Sequence, residues 1–134
     1  MLLSQTAEHA LRAMACLAQA APDMLNSGAL AAQAQIPGHY VSKVMRQLVV
    51  AGLVEARKGR SGGFRLAHAP ADITFASILE AVGDQVVSDR CAFGLSACNL
   101  DNPCPLHPAW RGLKEVFEGW ARSTTLADAS QPAG

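Results

Sequence analysis

The sequence predicts a mainly α-helical protein that carries one small β-hairpin. In five segments, apolar residues recur every three or four positions, which is the pattern of helices with one buried face. Only two short segments, on either side of "RKGRSGG", change to the shorter period that is typical of strands. With 134 residues, half of them hydrophobic, the chain can form one domain and an extending arm but not two full-sized domains.

The first predicted helix ends before Pro22. Ser4 or Thr6 can cap its start, because both side chains accept hydrogen bonds from backbone N–H groups of a first helical turn. Cys16 falls within the apolar pattern of this helix, so we expect it in the core rather than at a reactive site. The residues that define the pattern are Ala7, Ala10, Leu11, Met14, Leu17 and Ala18.

Two further helices are predicted before residue 52. The second spans residues 27–35 with Ser27 as its N-cap, and "IPGHY" then interrupts the helical pattern. The third runs from His39 to Ala51, and Gly52 is suited to end it because glycine readily adopts the left-handed conformation. The inward faces are formed by Leu30, Ala31 and Ala34 in the second helix and by Val41, Val44, Met45, Leu48 and Val49 in the third.

A two-stranded hairpin is predicted next, with "LVEA" at residues 53–56 and "FRLA" at residues 64–67 as its strands. Gly59, Gly62 and Gly63 permit the positive φ angles of a tight connection between them. The hairpin therefore displays charged residues at its tip. These residues are Arg57, Lys58 and Arg60.

Two helices are predicted in the second half of the chain. One runs from Thr74 to Val82, and the other begins near Pro108, a residue suited to a first helical turn. The last ten residues, "TLADASQPAG", are expected to fray. The final helix carries an apolar stripe of Trp110, Leu113, Val116, Phe117 and Trp120.

The formal net charge is zero, but the charges are unevenly distributed. Residues 36–68 contain six basic residues and one acidic residue, whereas the remainder contains five basic and ten acidic residues. A basic segment of this kind suits a polyanion as a partner.

Three helices followed by a basic hairpin are the element order of a winged helix-turn-helix domain. In such domains the second helix of the pair lies in the major groove of DNA, and a basic hairpin suits phosphates or a narrow minor groove. The alternative is that these charges form the solvated face of a module that binds protein. The candidate DNA-binding residues are His39, Tyr40, Ser42, Lys43 and Arg46 in the helix and Arg57, Lys58 and Arg60 in the hairpin.

Residues 89–107 contain three of the four cysteines. Cys91, Cys98, Cys104 and His107 provide three thiols and one imidazole within 17 positions, which suits zinc or an iron–sulfur cluster. A second possibility is that His107 only caps the final helix while the cysteines bind the metal. No secretory signal or membrane span is apparent, so we expect a cytoplasmic location, where structural disulfides are rare.

Other classes of protein fit these features less well. We expect no enzyme, because no catalytic triad, paired carboxylates or phosphate loop is apparent. A small iron–sulfur electron carrier would leave the basic helix and hairpin without a role. A DNA-binding protein stapled by structural zinc stays open as an alternative.

Together, "HYVSKVMRQLVVAGLVEARKGRSGGFRLA" and the three-cysteine loop ahead of the final helix resemble the Rrf2 family of bacterial transcription regulators. The resemblance extends from "SQTAEHALRAMACLA" to "WARSTTLADA". It implies a homodimer with crossing C-terminal helices that binds double-stranded operator DNA and holds an iron–sulfur cluster near the dimer interface. Membranes and small-molecule substrates are not implied as partners. The dimerisation residues would be Trp110, Leu113, Phe117 and Trp120.

The resemblance also implies the cluster ligands. Cys91, Cys98 and Cys104 match the cluster thiolates, and His107 matches the fourth ligand of members with a 2Fe-2S cluster, the favoured type. In other members a partner-chain carboxylate completes a 4Fe-4S site; Glu8 lies at the matching position, although a residue near a helix start can equally be a plain surface residue. The first gap between cysteines is six residues, where the 2Fe-2S type has five.

The expected organisation follows from these assignments. Residues 1–70 would form the DNA-binding domain, 71–88 a connecting helix, 89–107 the cluster-binding loop, 108–126 the dimerisation helix and 127–134 a disordered tail. The cluster would control operator binding, as in a repressor that responds to redox change, nitric oxide or cluster supply. The sequence does not choose among these signals.

Overall fold

The computed structural model describes residues 3–84 and 107–129, and only the backbone of His107. The chain forms a mainly helical domain with one antiparallel two-stranded hairpin, which confirms the predicted winged helix-turn-helix class. The helices are α1 Gln5–Ala20, α2 Ser27–Ala34, α3 Gly38–Val50, α4 Phe75–Ala81, α5 His107–Ser123 and α6 Leu126–Ala129; the strands are β1 Val54–Arg57 and β2 Gly63–Leu66. Three parts of the predictions lie outside the described residues. They are residues 85–88 of the expected connecting helix, the three cysteines Cys91, Cys98 and Cys104, and residues 130–134.

The helix starts depend on side-chain caps that the sequence predicted only in part. Ser4 caps α1, and its hydroxyl accepts a 3.0 Å hydrogen bond from the N–H of Ala7. The N-cap of α2 is Asn26, so the prediction that Ser27 caps this helix was wrong by one position. Both residue types are good caps, but Leu25 pairs with β2 through two backbone hydrogen bonds, which keeps the chain extended as far as Asn26.

Helix α3 begins at Gly38, one residue before the predicted start, and ends at Val50. Gly52 follows the helix with φ +81°, and the N–H of Leu53 donates to the carbonyl of Leu48. Gly52 therefore ends the helix as predicted, because the left-handed conformation lets the chain turn back on the last helical carbonyls.

One hydrophobic core joins α1, α3, α4 and the C-terminal residues. Small residues on α1 let the neighbouring helices approach closely, and larger side chains from α3 and α4 fill the space between them. Fully buried side chains in this core are Ala7, Ala10, Ala13, Met14, Leu17, Met45, Leu48, Ile78 and Leu79. No described helix is long and apolar enough to cross a bilayer.

The C-terminal segment returns to this core instead of fraying from Thr125. Helix α5 ends at Ser123, before the predicted end at residue 126, and α6 then covers residues 126–129. Leu126 is only 1% exposed, and its N–H donates to the carbonyl of Ile73. The expectation of a frayed tail fails for residues 125–129, because burial of one leucine stabilises a segment whose sequence alone has little helical pattern.

The hairpin pairs Val54 with Leu66 and Arg57 with Gly63. Its conformation depends on glycine at three positions. Gly59 has φ +110° and Gly63 has φ +136°. Gly62 does not have the expected positive φ, but a Cβ atom there would overlap the backbone carbonyl of Arg57. At Gly63 a Cβ atom would also overlap the backbone carbonyl of Leu25. Glycine is therefore required there both by the dihedral angle and by close approach of another segment.

We expect Gly63→Ala to lower the free energy of unfolding by about 2 to 3 kcal/mol, because it strains the backbone and separates β2 from Leu25. Gly119→Ala in α5 is the matched control; nothing described lies within 4 Å of its Cβ position, and a helical alanine stabilises by up to about 1 kcal/mol. Urea denaturation followed by circular dichroism measures both changes. Equal stability of the two variants would contradict this role of Gly63.

Candidate nucleic-acid interface and cysteine segment

Helix α3 places every predicted contact residue on its exposed side. Val41, Val44 and Met45 are buried against the core, which turns the polar positions of the helix outward. The N-cap residue is Pro37, and no side chain in the described ranges caps the first turn. The exposed residues are His39, Tyr40, Ser42, Lys43 and Arg46.

The wing, residues 54–66, lies beside α3 because β1 packs against that helix. Arg57 is the last residue of β1, and Lys58 and Arg60 follow in the connection to β2. All three side chains are exposed. The basic residues predicted from the sequence therefore lie on two adjacent elements of one domain.

Five of the six cations on these two elements have no acidic partner among the described residues. Within residues 3–84 and 107–129, none of them forms an ion pair or a side-chain hydrogen bond. In contrast, Arg65 is paired with Glu55 at 2.8 Å, and Arg111 and Arg122 are paired with glutamates. Unpaired positive charge is thus concentrated on α3 and the wing. The five cations are Lys43, Arg46, Arg57, Lys58 and Arg60.

Arg12 stabilises the helix-turn-helix itself, a role that the sequence did not reveal. Its guanidinium donates hydrogen bonds of 2.8 Å to the carbonyl of Ala34 and 3.1 Å to that of Gln35. Gln35 ends α2 in the left-handed conformation, with φ 55°. Arg12 therefore satisfies carbonyls at the turn before α3, where a cation also interacts favourably with the helix dipole.

His9 of α1 contacts the exposed start of α3, and this contact was also missed. Its ring centroid lies 5.7 Å from that of Tyr40, which in turn lies 4.5 Å from the ring of His39. Burial, and then the positive charge of Arg12, lower the pKa of His9 below 6.5, although Glu8 opposes the shift. The imidazole is therefore mostly neutral at pH 7 where it packs on Tyr40.

Asp84, the residue directly before the cysteine segment (residues 85–106), is hydrogen-bonded to the start of α1. The carboxylate of Asp84, the last described residue before the segment, accepts hydrogen bonds of 3.1 Å from the Ser4 N–H and 2.8 Å from its hydroxyl. Glu8 lies in the first turn of the same helix and is partly buried. This carboxylate, the alternative fourth ligand, thus lies on the helix whose N-cap residue binds Asp84.

The predicted metal ligands themselves are mostly beyond the described residues. Cys91, Cys98 and Cys104 are not described, and His107 is described only as the first residue of α5. Within the described part of the chain, no group of three or more His, Cys, Asp or Glu residues could hold a metal ion. A site of this kind therefore draws on the segment 85–106, whose three thiols are suitable donors for a cluster or for zinc.

Cys16, the fourth cysteine of the chain, lies on α1 outside the segment 85–106. It is a free, half-buried cysteine on α1 that packs against the core, as expected from its place in the apolar pattern. Burial raises the pKa of its thiol, so the reactive thiolate form is disfavoured.

The apolar stripe of α5 divides into two parts. Phe117 packs against the core, and Trp120 makes an edge-to-face contact with Phe75 at 5.1 Å. On the outward side, Val116 is 71% exposed and Leu113 is about half exposed, and Trp120 keeps part of its surface exposed. Trp110 is half-buried. Leu113, Val116 and Trp120 thus form a group of exposed apolar side chains on one helix.

The family model of Rrf2, described as iron-dependent transcriptional regulators, matches residues 3–132. A helix-turn-helix-type transcriptional regulator of Aquifex aeolicus is 35% identical over 130 residues, covering 96% of this chain and 90% of that protein. The regulator NsrR of Geobacillus kaustophilus is 32% identical over 131 residues, covering 96% of this chain and 88% of that protein. These similarities extend across the DNA-binding elements and the cysteine segment.

Among solved structures, the global cysteine regulator CymR of B. subtilis superposes with a TM-score of 0.81. The superposition covers 96% of this chain and 95% of that chain at 22% sequence identity. The likeness supports the fold and the arrangement of its elements.

Proposed function

Because the chain belongs to the Rrf2 family of helix-turn-helix transcriptional regulators, we propose that it is a dimeric regulator whose operator affinity is controlled by an iron–sulfur cluster. DNA binding through α3 and the wing is one component of this proposal. Control by the cysteine segment is the other component. The two components rest on different residues and can be tested separately.

The observation that carries the DNA-binding assignment is the set of unpaired cations on α3 and the wing. Exposed arginine and lysine side chains without acidic neighbours can replace the counterions of the DNA backbone with little loss of existing interactions. Lys43 lies in the early turns of α3, from which side chains of this fold reach base edges. The wing cations are suited to phosphates or to a narrow minor groove.

The cysteine segment supplies the ligands in this proposal. Cys91, Cys98 and Cys104 would hold a 2Fe-2S cluster with His107, or a 4Fe-4S cluster with Glu8 of the partner chain. When bound, the cluster supplies a redox-active and chemically fragile group whose loss reports oxidant, nitric oxide or insufficient cluster supply. Three thiols within one segment favour such a group over an oxygen-ligated metal.

The attachment of Asp84 to Ser4 supports communication between this segment and α3. Ser4 caps α1, and α1 contacts α3 directly, so a change at the start of the segment bears on a helix that packs against the DNA-binding helix. The other end of the segment leads into α5 at His107. Binding or loss of a cluster in the segment can therefore influence the position of α3 within one protomer and the arrangement of the two protomers in a dimer.

Dimerisation is proposed through the exposed side of α5. We expect Val116→Glu to convert the dimer to a monomer, because it places a charge within the apolar surface that also contains Leu113 and Trp120. Val116 is 71% exposed, so the fold of the protomer should be unaffected. Sedimentation equilibrium measures the mass, and Val50→Glu, at a similarly exposed valine of α3, is the control. A Val116→Glu protein that stays dimeric would assign the interface elsewhere.

The direct test of cluster control is a DNA titration. The native protein, purified anaerobically, is first used to select a duplex from a random-sequence pool, which is called the selected duplex below. Fluorescence anisotropy at fixed salt then compares cluster-loaded and cluster-free protein. We expect affinities that differ by about 5- to 150-fold, the usual range of allosteric coupling. Equal affinities would contradict cluster control while leaving DNA binding intact.

The same donor atoms allow an alternative, a DNA-binding protein that is stabilised by a structural zinc ion. Zinc would close a tetrahedral site with three cysteines and one histidine. Anaerobic purification distinguishes the two, since a colourless protein with one zinc per chain would replace the cluster proposal.

A further inference from the structure

His9 is a buried histidine on α1. We propose that His9 is a positioning residue for Tyr40, and that it thereby sets how the first turn of α3 meets DNA. The inference rests on the DNA-binding function proposed above. It adds to that function a residue that lies outside α3 and the wing.

His9 is a buried polar side chain on α1, a helix that packs against α3. It is 4% exposed, and in the described ranges it is the polar residue found among otherwise apolar buried side chains. Its ring nitrogens are not among the buried polar atoms that lack a partner in the described part of the protein, where Oε1 of Gln47 is such an atom.

The specific contact that His9 does make is with Tyr40. The two ring centroids are 5.7 Å apart with the rings tilted by 47°, inside the range of about 4.5–7 Å at which aromatic rings attract. The ring of His39 contacts Tyr40 as well, at 4.5 Å. Tyr40 is thus held by one ring from α1 and one from its own helix, yet it remains 37% exposed.

The start of α3 needs such support from outside. It begins with Pro37 and Gly38, and no described side chain caps it, so packing rather than capping holds the first turn. Helix α1, which provides this contact, is stabilised at its start because Ser4 caps it and Asp84 accepts a hydrogen bond from Ser4. If His9 is removed, Tyr40 gains rotational freedom that DNA binding must then restrict, which lowers affinity.

Tyr40 is the single tyrosine of the chain, which permits a selective measurement. Protein labelled with 3-fluorotyrosine gives one fluorine NMR resonance, from Tyr40. We expect His9→Ala to shift this resonance and to lower affinity for the selected duplex about fivefold to tenfold. His9→Phe, which keeps a ring, should return the affinity to within about twofold of the native value.

Leu17→Ala is the matched control, because Leu17 is also buried on α1. All variants are compared at a temperature where circular dichroism shows them folded. We expect Leu17→Ala to lower the melting temperature and to change neither the fluorine resonance nor the affinity. If Leu17→Ala shifted the fluorine resonance as much as His9→Ala does, His9 would have no role beyond packing in the core. That result would overturn the inference.

A double-mutant cycle with Tyr40→Ala completes the test. If His9 acts through Tyr40, His9→Ala should change affinity less than about twofold in the Tyr40→Ala protein. Equal losses in both backgrounds would overturn the inference. An unchanged affinity of the Tyr40→Ala protein for the selected duplex would also overturn the inference. If the wing variants still weaken DNA binding in that case, the proposed function stands without the inference.

Discussion

Replacing Arg57, Lys58 and Arg60 together by glutamine is expected to lower affinity for the selected duplex by about a hundredfold or more at 0.15 M salt. The three side chains are exposed and have no acidic partner in the described part of the chain, so each is available to a phosphate. Each lost phosphate contact removes about one unit from the slope of log affinity against log salt. The slope should therefore fall by about three for each wing that contacts DNA.

The matched control removes the same charge from α5 through Arg111→Gln, Lys114→Gln and Arg122→Gln. Arg111 and Arg122 are already paired with glutamates, and we expect less than about a threefold loss of affinity. Sedimentation first establishes that this variant keeps the native oligomeric state. Equal losses in the wing and α5 variants would show that net charge alone matters, and the wing would lose its assigned role.

Cys91→Ala is expected to abolish the visible absorbance of the anaerobically purified protein and to reduce its iron and acid-labile sulfide to background. One ligand lost from a set of four leaves a cluster open to solvent and easily degraded. Cys98→Ala and Cys104→Ala should have the same effect. Ultraviolet–visible spectra together with iron and sulfide determinations measure the result.

Cys16→Ala is the control within the same chain, because Cys16 packs against the core on α1, away from the cysteine segment in sequence. This variant should keep the native colour and metal content. Lys43→Ala should also keep the colour while it weakens DNA binding, since Lys43 lies on the exposed side of α3. If Cys91→Ala retained full iron and sulfide, the proposed ligand set would be wrong.

The fourth ligand can be identified by the same measurement. His107→Ala would destabilise a cluster held within one chain, whereas Glu8→Ala would destabilise a cluster completed by the partner chain. Glu8 lies in the first turn of α1, close in sequence to Ser4, which binds Asp84. This placement is compatible with a role of Glu8 near the segment, while the spacing of Cys104 and His107 favours the histidine.

The zero net charge of the chain does not conflict with a nucleic-acid partner. Acidic residues lie mainly on other elements, where several pair with arginines, as Glu115 does with Arg111. Five cations of α3 and the wing form no ion pair within the described residues, and the sixth, Arg65, is paired with Glu55. The local field at the candidate interface is therefore positive even though the chain is neutral overall.

The sequence by itself determined the five helices α1 to α5, the hairpin, the exposed cations and the family. Helical periodicity identified the core faces of α1 and α3, and Gly52 marked the end of α3, because these features depend on neighbouring residues. The arrangement of "RKGRSGG" between two strands predicted the wing for the same reason. The spacing of the three cysteines suggested a metal centre without reference to the rest of the fold.

Only the tertiary structure decided which residues hold these elements together. The choice of Asn26 over Ser27 as the N-cap of α2 follows from pairing of Leu25 with β2, and α6 forms because Leu126 is buried. Further partners that no local pattern predicts are Arg12 with Ala34, Ser4 with Asp84, and His9 with Tyr40. These partners are distant in the sequence, and packing of whole helices against one another brings them together.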